Sequence, residues 1–429
     1  MGQKMSKIRE MIKKNKDILI YTLLGSISQI LNAVPPIIIA FKLTASEFGS
    51  YSLAKMIMLF FLSLLFSSSQ TPFVISAQRE YMETKRISKS IYIQLIIYLG
   101  GILLIILSEL FLSKYFQSFA EISVRANIFL VTTLITVVTK NFMMSILLST
   151  ERRRKSIILD IVYNIILNVL IVVGIFLNKI NIENIFIIYT ISGLVSILLY
   201  LPSLKIKSIC KLEIVKNIRE IRSFVKFTLW QIFGFVGIYL SNWGDNFVLK
   251  SHVSMGSIGV YNFMYGIYAA AISIAYLVAG YFTPDITKNS DNIEYLKKYL
   301  KKKRWLLTLL YSICCGIVVL ILPYILNKIY QGKYNEGFIF IYTFIPISII
   351  FFYNMFTIPI FNTANKYKLV QITNIITVAI NLIIDLILIP KIGISGTIYA
   401  RIVSVTSQML ILEVMVRKHI KEMEKAKDN

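Results

Sequence analysis

Apolar residues fall in long blocks along this chain, separated by short clusters of polar and basic residues. A helix needs about 20 apolar residues to cross the hydrocarbon core of a bilayer. Blocks of that size recur at roughly 18–40, 47–75, 91–112, 125–149, 157–177, 183–204, 224–249, 257–282, 305–326, 336–361, 368–389 and 393–416. The pattern therefore predicts an all-α polytopic membrane protein of about twelve transmembrane helices. Open strands are no alternative, because lipid offers no partner to their backbone groups. The block from Ile18 to Ala40 follows a basic stretch. It is too long for the apolar part of a signal peptide, so it reads as a retained first span.

Composition strengthens this picture. Of the 429 residues 56% are hydrophobic and only 16% charged. A soluble domain carries about a quarter of its residues charged. The net charge of +24 would suggest nucleic acid in a soluble chain. Its distribution argues otherwise. With the N-terminus inside, the inward segments hold 35 of the 46 lysines and arginines and the outward segments eight. Such alternation is the positive-inside signal. It predicts cytoplasmic termini and an inner-membrane location, with lipid as a partner and no nucleic acid.

Little in the chain suggests catalysis. The two histidines, His252 and His419, and the three cysteines, Cys210, Cys314 and Cys315, have no metal or redox spacing. No glycine-rich phosphate loop is present. A non-enzymatic role is expected, with no cofactor beyond a coupling ion, proton or sodium.

The chain also repeats. Glu47-Phe48-Gly49-Ser50-Tyr51 opens the second span and Ser257-Ile258-Gly259-Val260-Tyr261 opens the eighth, 210 residues later. The inner ends of spans four (149–155) and ten (362–368) match at an offset of 213. Two six-helix lobes are predicted as parallel repeats, 1–204 and 224–429, with a site between them. Residues 205–223 would link them through a basic amphipathic helix on the inner leaflet. A similar segment runs from Asp291 to Arg304. Asp291 and Glu294 are placed there for a capping box.

Three cations lie deep in spans: Lys55, Lys140 and Arg401. A charge at the bilayer centre costs about 2.5–3.5 kcal/mol on insertion scales, so each should face a hydrated, protein-lined cavity. Together they would form a cationic chamber for a pyrophosphate, arginine as a bidentate fork and lysine as a point charge. The competing reading of each is a structural ion pair. The acids Glu109, Asp160, Asp385 and Glu413 lie about one turn from span ends and read as hydrated helix termini. Asp245 is the exception. Gln231, Gly234, Ser241, Asn242 and Asp245 share one face of span seven. Thr22, Ser26, Gln29 and Asn32 form a counterpart in span one. These faces would touch sugar hydroxyls, pass a coupling ion or simply bond between helices. Trp230 and Trp243 flank the span-seven stripe, as sugar-stacking rings or as members of an interfacial belt.

Several segments resemble a known family. These are Ala45–Ala54, Thr150-Glu151-Arg152-Arg153-Arg154-Lys155, and Asp245-Asn246-Phe247-Val248-Leu249 with Gly259-Val260-Tyr261. The run from Ile389 to Ala400, with Pro390, Lys391, Gly393 and Gly396, is the most specific. Together they resemble the Wzx-type O-antigen and capsule flippases of the multidrug/oligosaccharidyl-lipid/polysaccharide exporter superfamily. The resemblance implies two six-helix lobes and alternating access. It implies a cargo of undecaprenyl-pyrophosphate-linked oligosaccharide, moved from the cytoplasmic to the periplasmic leaflet, as in lipopolysaccharide biosynthesis. A polysaccharide polymerase and a chain-length regulator would be its working partners. A drug/cation antiporter of the same superfamily is the main rival, and would need acids deep in its lumen. A lipid II flippase would carry two further helices. A membrane polysaccharide polymerase, an enzyme, is disfavoured by the short outward loops.

Overall fold

A computed structural model describes residues 2–210, 218–289, 291–364 and 366–428 of the chain. Among them are helices and connecting turns, with eleven stretches long and apolar enough to cross a membrane. The protein is thus an all-helical, polytopic membrane protein. The helices are α1 (Gly2–Lys42), α2 (Ala45–Thr84), α3 (Ser88–Ala120), α4 (Val124–Ser149), α5 (Arg153–Phe176) and α6 (Ile182–Tyr200). They continue with α7 (Ile218–His252), α8 (Met255–Lys288), α9 (Ile293–Tyr330), α10 (Phe338–Met355), α11 (Tyr367–Ile392) and α12 (Gly396–Asp428). The last apolar stretch, Lys368–Ala426, contains both α11 and α12. Large apolar side chains point outward all along these helices; Phe111 and Phe176 are more than 80% exposed. Water would penalise that surface, whereas lipid tails solvate it.

The chain divides into two compact units, Met1–Lys42 with Leu53–Val236, and Leu43–Ser52 with Gly237–Asn429. In unit 1, α1 packs on α5, α4 packs on α6, and the second half of α2 packs on α3 and α4. Phe73, Ile87, Leu147, Leu159 and Leu204 form a closed apolar core there. The polar ends of the helices are satisfied locally by side-chain N-caps. Ser123 accepts from Ala126 N at 3.1 Å, and Asn181 from Asn184 N at 2.8 Å. Helix α2 widens into a π-turn at Leu62–Ser67, a device frequent at functional sites. The Phe66 ring from that turn lies on Gly101, where a Cβ would come within 2.9 Å of it.

Unit 2 explains two of the glycine motifs. Thr44 and Glu47 form a reciprocal capping box. Thr44 N donates to Glu47 Oε2 at 2.8 Å, and Glu47 N donates to Thr44 Oγ1 at 3.2 Å. The helix that starts there lays its first turns directly on α8. A Cβ on Gly49 would sit 2.2 Å from the Met255 carbonyl oxygen, and one on Gly259 would sit 1.8 Å from that of Ala45. The two repeated glycines therefore permit one backbone-to-backbone crossing. At the other motif, Gly393 turns the chain with φ +61°. Gly396 then presses against Ile389 N, 2.8 Å from where its Cβ would be. Only glycine suits both positions.

Two local expectations need correction. The helix at Ile293 is capped by Asn292, which accepts from Tyr295 N at 3.0 Å, and not by a box of Asp291 and Glu294. Arg304, counted among the inward loop cations, is only 4% exposed. It pairs with Glu413 at 3.0 Å, beneath the Tyr353 ring. Of the linker expected at 205–223, Ile206–Ile209 forms one helical turn and 218–223 opens α7, while residues 211–217 lie outside the described part.

Candidate functional site

The densest polar constellation lies inside unit 2, where α7, α8, α11 and α12 converge. Asp245 on α7 is 1% exposed. Its Oδ2 accepts from Arg401 Nη2 of α12 at 2.7 Å and from the Tyr261 hydroxyl of α8. Its Oδ1 accepts from Asn381 Nδ2 of α11 at 2.8 Å. The guanidinium also donates through Nη1 to the Ser241 carbonyl at 3.0 Å, and its centre stands 5.3 Å from the Tyr265 ring. One turn along α11, Asp385 is fully buried, and its Oδ2 accepts from the same Asn381 Nδ2 at 2.7 Å. Asn381 thus bridges two carboxylates. Ser404 fixes its orientation by donating to Asn381 Oδ1 at 3.1 Å.

Charge and hydrogen-bond supply do not balance here. One guanidinium faces two carboxyl groups, so there is one acid more than there are cations to pair with it. Asp245 is fully satisfied. Among the described residues nothing donates to Asp385 Oδ1. An ionised carboxylate buried with so few partners is expensive, and a proton or small cation relieves it.

Unit 1 holds a smaller cluster of a different kind. Lys140 on α4, 5% exposed, pairs with Asp160 Oδ1 on α5 and stands 4.5 Å from the centre of the Tyr163 ring. Ser28 of α1 donates to Asp160 Oδ2, and Asn164 Nδ2 reaches Ser28 Oγ at 3.4 Å. One cation meets one carboxylate, and the charges cancel.

These pairs change the expected cationic chamber. Lys140 and Arg401 are deep in their spans, but each is neutralised by an acid, so neither is a free positive charge. Asp160, with a side chain 26% exposed, is a pairing partner, and the fully buried Asp385 is no hydrated helix terminus. Lys55, on α2, is half-buried, and among the described residues it has no acid within ion-pair distance. Lys55 and Lys140 belong to unit 1 and Arg401 to unit 2.

The polar stripes divide similarly. Asn242 and Asp245 join the unit 2 cluster, Asn242 Oδ1 accepting from the Tyr265 hydroxyl at 3.3 Å. Gln231, earlier on α7, is half-buried and falls in unit 1. Gln29 and Asn32 are exposed on α1, while Ser28 beside them carries the contact to Asp160. Thr22 lies outside the residues whose side chains are described. Trp230 is 69% exposed and packs on Phe233, an arrangement that suits an interfacial belt. Among the described residues no cluster of histidines, cysteines and acids has metal-binding geometry. Burial, and then the nearby Glu80, push the Cys210 thiol up, which makes it a poor nucleophile.

Sequence reasoning missed Asn381 and Asn164, and it gave Asp385 and Tyr261 other roles. The signal that marks the α11 pair is the spacing Asn381-x-x-x-Asp385, which puts an amide and an acid on one face of an otherwise apolar helix.

Comparison with known proteins adds to this geometry. The family profile described as polysaccharide biosynthesis protein matches residues 15–290. A search of curated protein sequences finds no match. Among solved structures, the chain is similar to an inward-facing multidrug resistance MATE family transporter of the MOP superfamily. That similarity has a TM-score of 0.77 and 13% identity, over 93% of this chain and 96% of that one. It is also similar to the lipid II flippase MurJ in an inward closed conformation, with a TM-score of 0.70 and 18% identity, over 94% and 90%. An outward-facing MATE transporter gives a TM-score of 0.68 at 15% identity, covering 95% of each chain. At these identities the likeness establishes the fold.

Proposed function

The chain belongs to the polysaccharide biosynthesis protein family, and from that premise we propose that it is a flippase for lipid-linked oligosaccharide. Its cargo would be undecaprenyl-pyrophosphate carrying an O-antigen or similar repeat unit, moved from the cytoplasmic to the periplasmic leaflet of the inner membrane. In this reading α11 and α12 are separate spans, giving twelve in two six-helix lobes with both termini cytoplasmic. The fold shared with a flippase of another lipid-linked sugar, lipid II, supports it.

The observation that carries the proposal is the contrast among the deep charges. Lys140 and Arg401 are engaged by acids and hold helices together. Lys55 is the cation left to meet an anionic head group, as a point charge for pyrophosphate. The surplus carboxylate around Asp245 and Asp385 takes up the coupling ion, a proton or sodium. Binding the ion neutralises a buried charge, so its gradient biases the equilibrium between inward-open and outward-open forms. The polyprenyl tail stays in lipid throughout. The protein moves its cargo without making or breaking a bond in it.

The test is transport by the full chain in liposomes containing undecaprenyl-pyrophosphate-linked oligosaccharide, with the sugar's exposure read by an external lectin. Wild-type protein should equilibrate the lipid between leaflets, and Lys55→Ala should slow this about tenfold or more. No movement by the wild type sinks the proposal, and a wild-type rate in Lys55→Ala removes the lysine from it.

A drug/cation antiporter is the second reading. It is favoured by the two buried carboxylates of unit 2, which are the chemistry an organic cation would seek. Proton-driven ethidium uptake by the same liposomes, without oligosaccharide transfer, would select it.

A further inference from the structure

The N-terminal end of α9 carries a charge pattern that neither ionic cluster uses. Five lysines fall within seven residues, Lys297, Lys298, Lys301, Lys302 and Lys303. The sequence pattern suggests a helix lying along the inner leaflet. The structure instead runs the segment directly into the apolar stretch Ile293–Tyr330, through a π-turn at Tyr299–Lys303. One side of it is closed: Leu296, Tyr299 and Leu300 are at most 5% exposed. The lysines therefore stand on the open side of a membrane-spanning helix end.

Two of the five are engaged. Lys297 pairs with Glu424 of α12, and Lys303 turns back over the Tyr295 ring, 5.4 Å from its centre. The acids of α12 are taken up in this way, Glu413 by Arg304, Glu422 by Lys366 and Glu424 by Lys297. Lys298, Lys301 and Lys302 are exposed, and among the described residues none has an acid within ion-pair distance. The neighbouring Glu294 pairs with none of them. Residues three and four apart on a helix are neighbours, so these like charges repel, and an anion seated among them relieves the repulsion.

Directly beyond the lysines the surface changes character. Trp305 is 58% exposed and packs edge-on against Tyr353, ring centres 5.4 Å apart. Leu306, Leu309, Leu310 and Ile313 follow, each more than half exposed. A tryptophan between lysines and an apolar face marks the headgroup level of a bilayer. Trp305 comes four residues after Lys301 and Leu306 four after Lys302, so cations and apolar groups continue the same faces. Their complement is a molecule with an anionic head and apolar chains joined at that level. Nucleic acid or an acidic protein would match the lysines but leave the tryptophan and leucines unused.

We propose that Lys298, Lys301, Lys302 and Trp305 form a headgroup site for an anionic glycerophospholipid of the inner leaflet. The phosphate sits among the three ammonium groups, the indole N–H reaches the glycerol ester carbonyls, and the acyl chains run along the leucine face of α9. Ammonium groups act as point charges, so the site selects charge rather than headgroup shape. It is independent of the cargo. Its effect is to hold this end of α9, and through Lys297 the tail of α12, at a fixed depth in the leaflet.

The experiment reads Trp305 fluorescence in the full-length chain, after Trp230→Phe and Trp243→Phe leave it as the only tryptophan. The protein is reconstituted in phosphatidylcholine vesicles with increasing amounts of brominated phosphatidylglycerol or brominated phosphatidylcholine, because bromine quenches on contact. The anionic lipid should occupy the site about tenfold more readily than the zwitterionic one at about 0.15 M salt. Lys298→Gln, Lys301→Gln and Lys302→Gln together should bring that ratio close to one. Quenching by the zwitterionic lipid should stay unchanged, which shows the helix end still folded at its depth. Removing three exposed cations from another loop, by Lys85→Gln, Arg86→Gln and Lys89→Gln, should keep the ratio. A ratio of one with the lysines intact, or a preference that survives the triple substitution at the site, overturns the proposal and leaves the flippase reading standing. An equal loss from the control substitutions overturns it as well, since net charge alone would then account for the preference. Displacement of the brominated lipid by undecaprenyl pyrophosphate at about a tenth of its concentration overturns the phospholipid assignment in favour of the cargo.

Discussion

The two units bury ionic clusters of opposite character, and the comparison separates structure from function. In unit 1, Lys140 and Asp160 cancel, and Asp160 keeps a side chain 26% exposed. In unit 2, Arg401 meets Asp245 with both side chains almost fully enclosed, and Asp385 adds a second carboxyl group with no second cation. A balanced pair is a fastener. An unbalanced one has a free energy that depends on what else is bound, which is the property a coupling site needs. The same fold thus carries a structural pair in one half and a chargeable one in the other.

The largest effect should come from breaking the enclosed pair. Asp245→Asn strands a buried guanidinium and should cost roughly 3–5 kcal/mol, read as a lowered midpoint of thermal unfolding in detergent. Replacing Arg401 as well, with methionine, should recover much of the loss. If the single variant unfolds at the wild-type temperature, the pair is not enclosed as described.

Next in size are the glycine contacts. Gly259→Ala must push apart two backbones and should destabilise by about 1–3 kcal/mol. Gly101→Ala in unit 1 meets only the Phe66 ring and Leu65 side chain, which can shift, and should cost less. Equal losses would mean that the α2–α8 crossing is no tighter than an ordinary side-chain contact.

Asp160→Asn should cost less than Asp245→Asn, about 1–2 kcal/mol, because Asp160 keeps a quarter of its side chain exposed while Asp245 is fully enclosed. The smallest effect on stability belongs to Asp385→Asn, which replaces a buried acid that has no cation of its own and should leave the unfolding midpoint unchanged or raised. Its transport phenotype should be large all the same: movement of cargo should no longer respond to an imposed proton or sodium gradient. A response equal to wild type would show that the ion binds elsewhere.

The sequence made the helices legible because a bilayer demands one simple pattern, long apolar runs with basic inner ends. It also marked Lys140 and Arg401, since a deep charge is conspicuous among leucines. Their partners were harder to read. Asp160 and Asp245 lie on other helices, and pairing between helices is a tertiary fact that spacing within one helix does not encode. Asp385 looked like a helix terminus because the apolar block ends near 389, yet α11 continues to Ile392 and keeps the acid inside.

The two ion pairs also set different demands on synthesis. Lys140 and Asp160 are 20 residues apart on consecutive helices, so they can leave the translocon as one hairpin with the charges already joined. Asp245 and Arg401 are separated by 156 residues. Asp245 must therefore reside in the membrane while four further helices are made, at an insertion cost of about 2.5–3.5 kcal/mol until α12 arrives. During that interval the half-built second unit is the stage most exposed to membrane quality control.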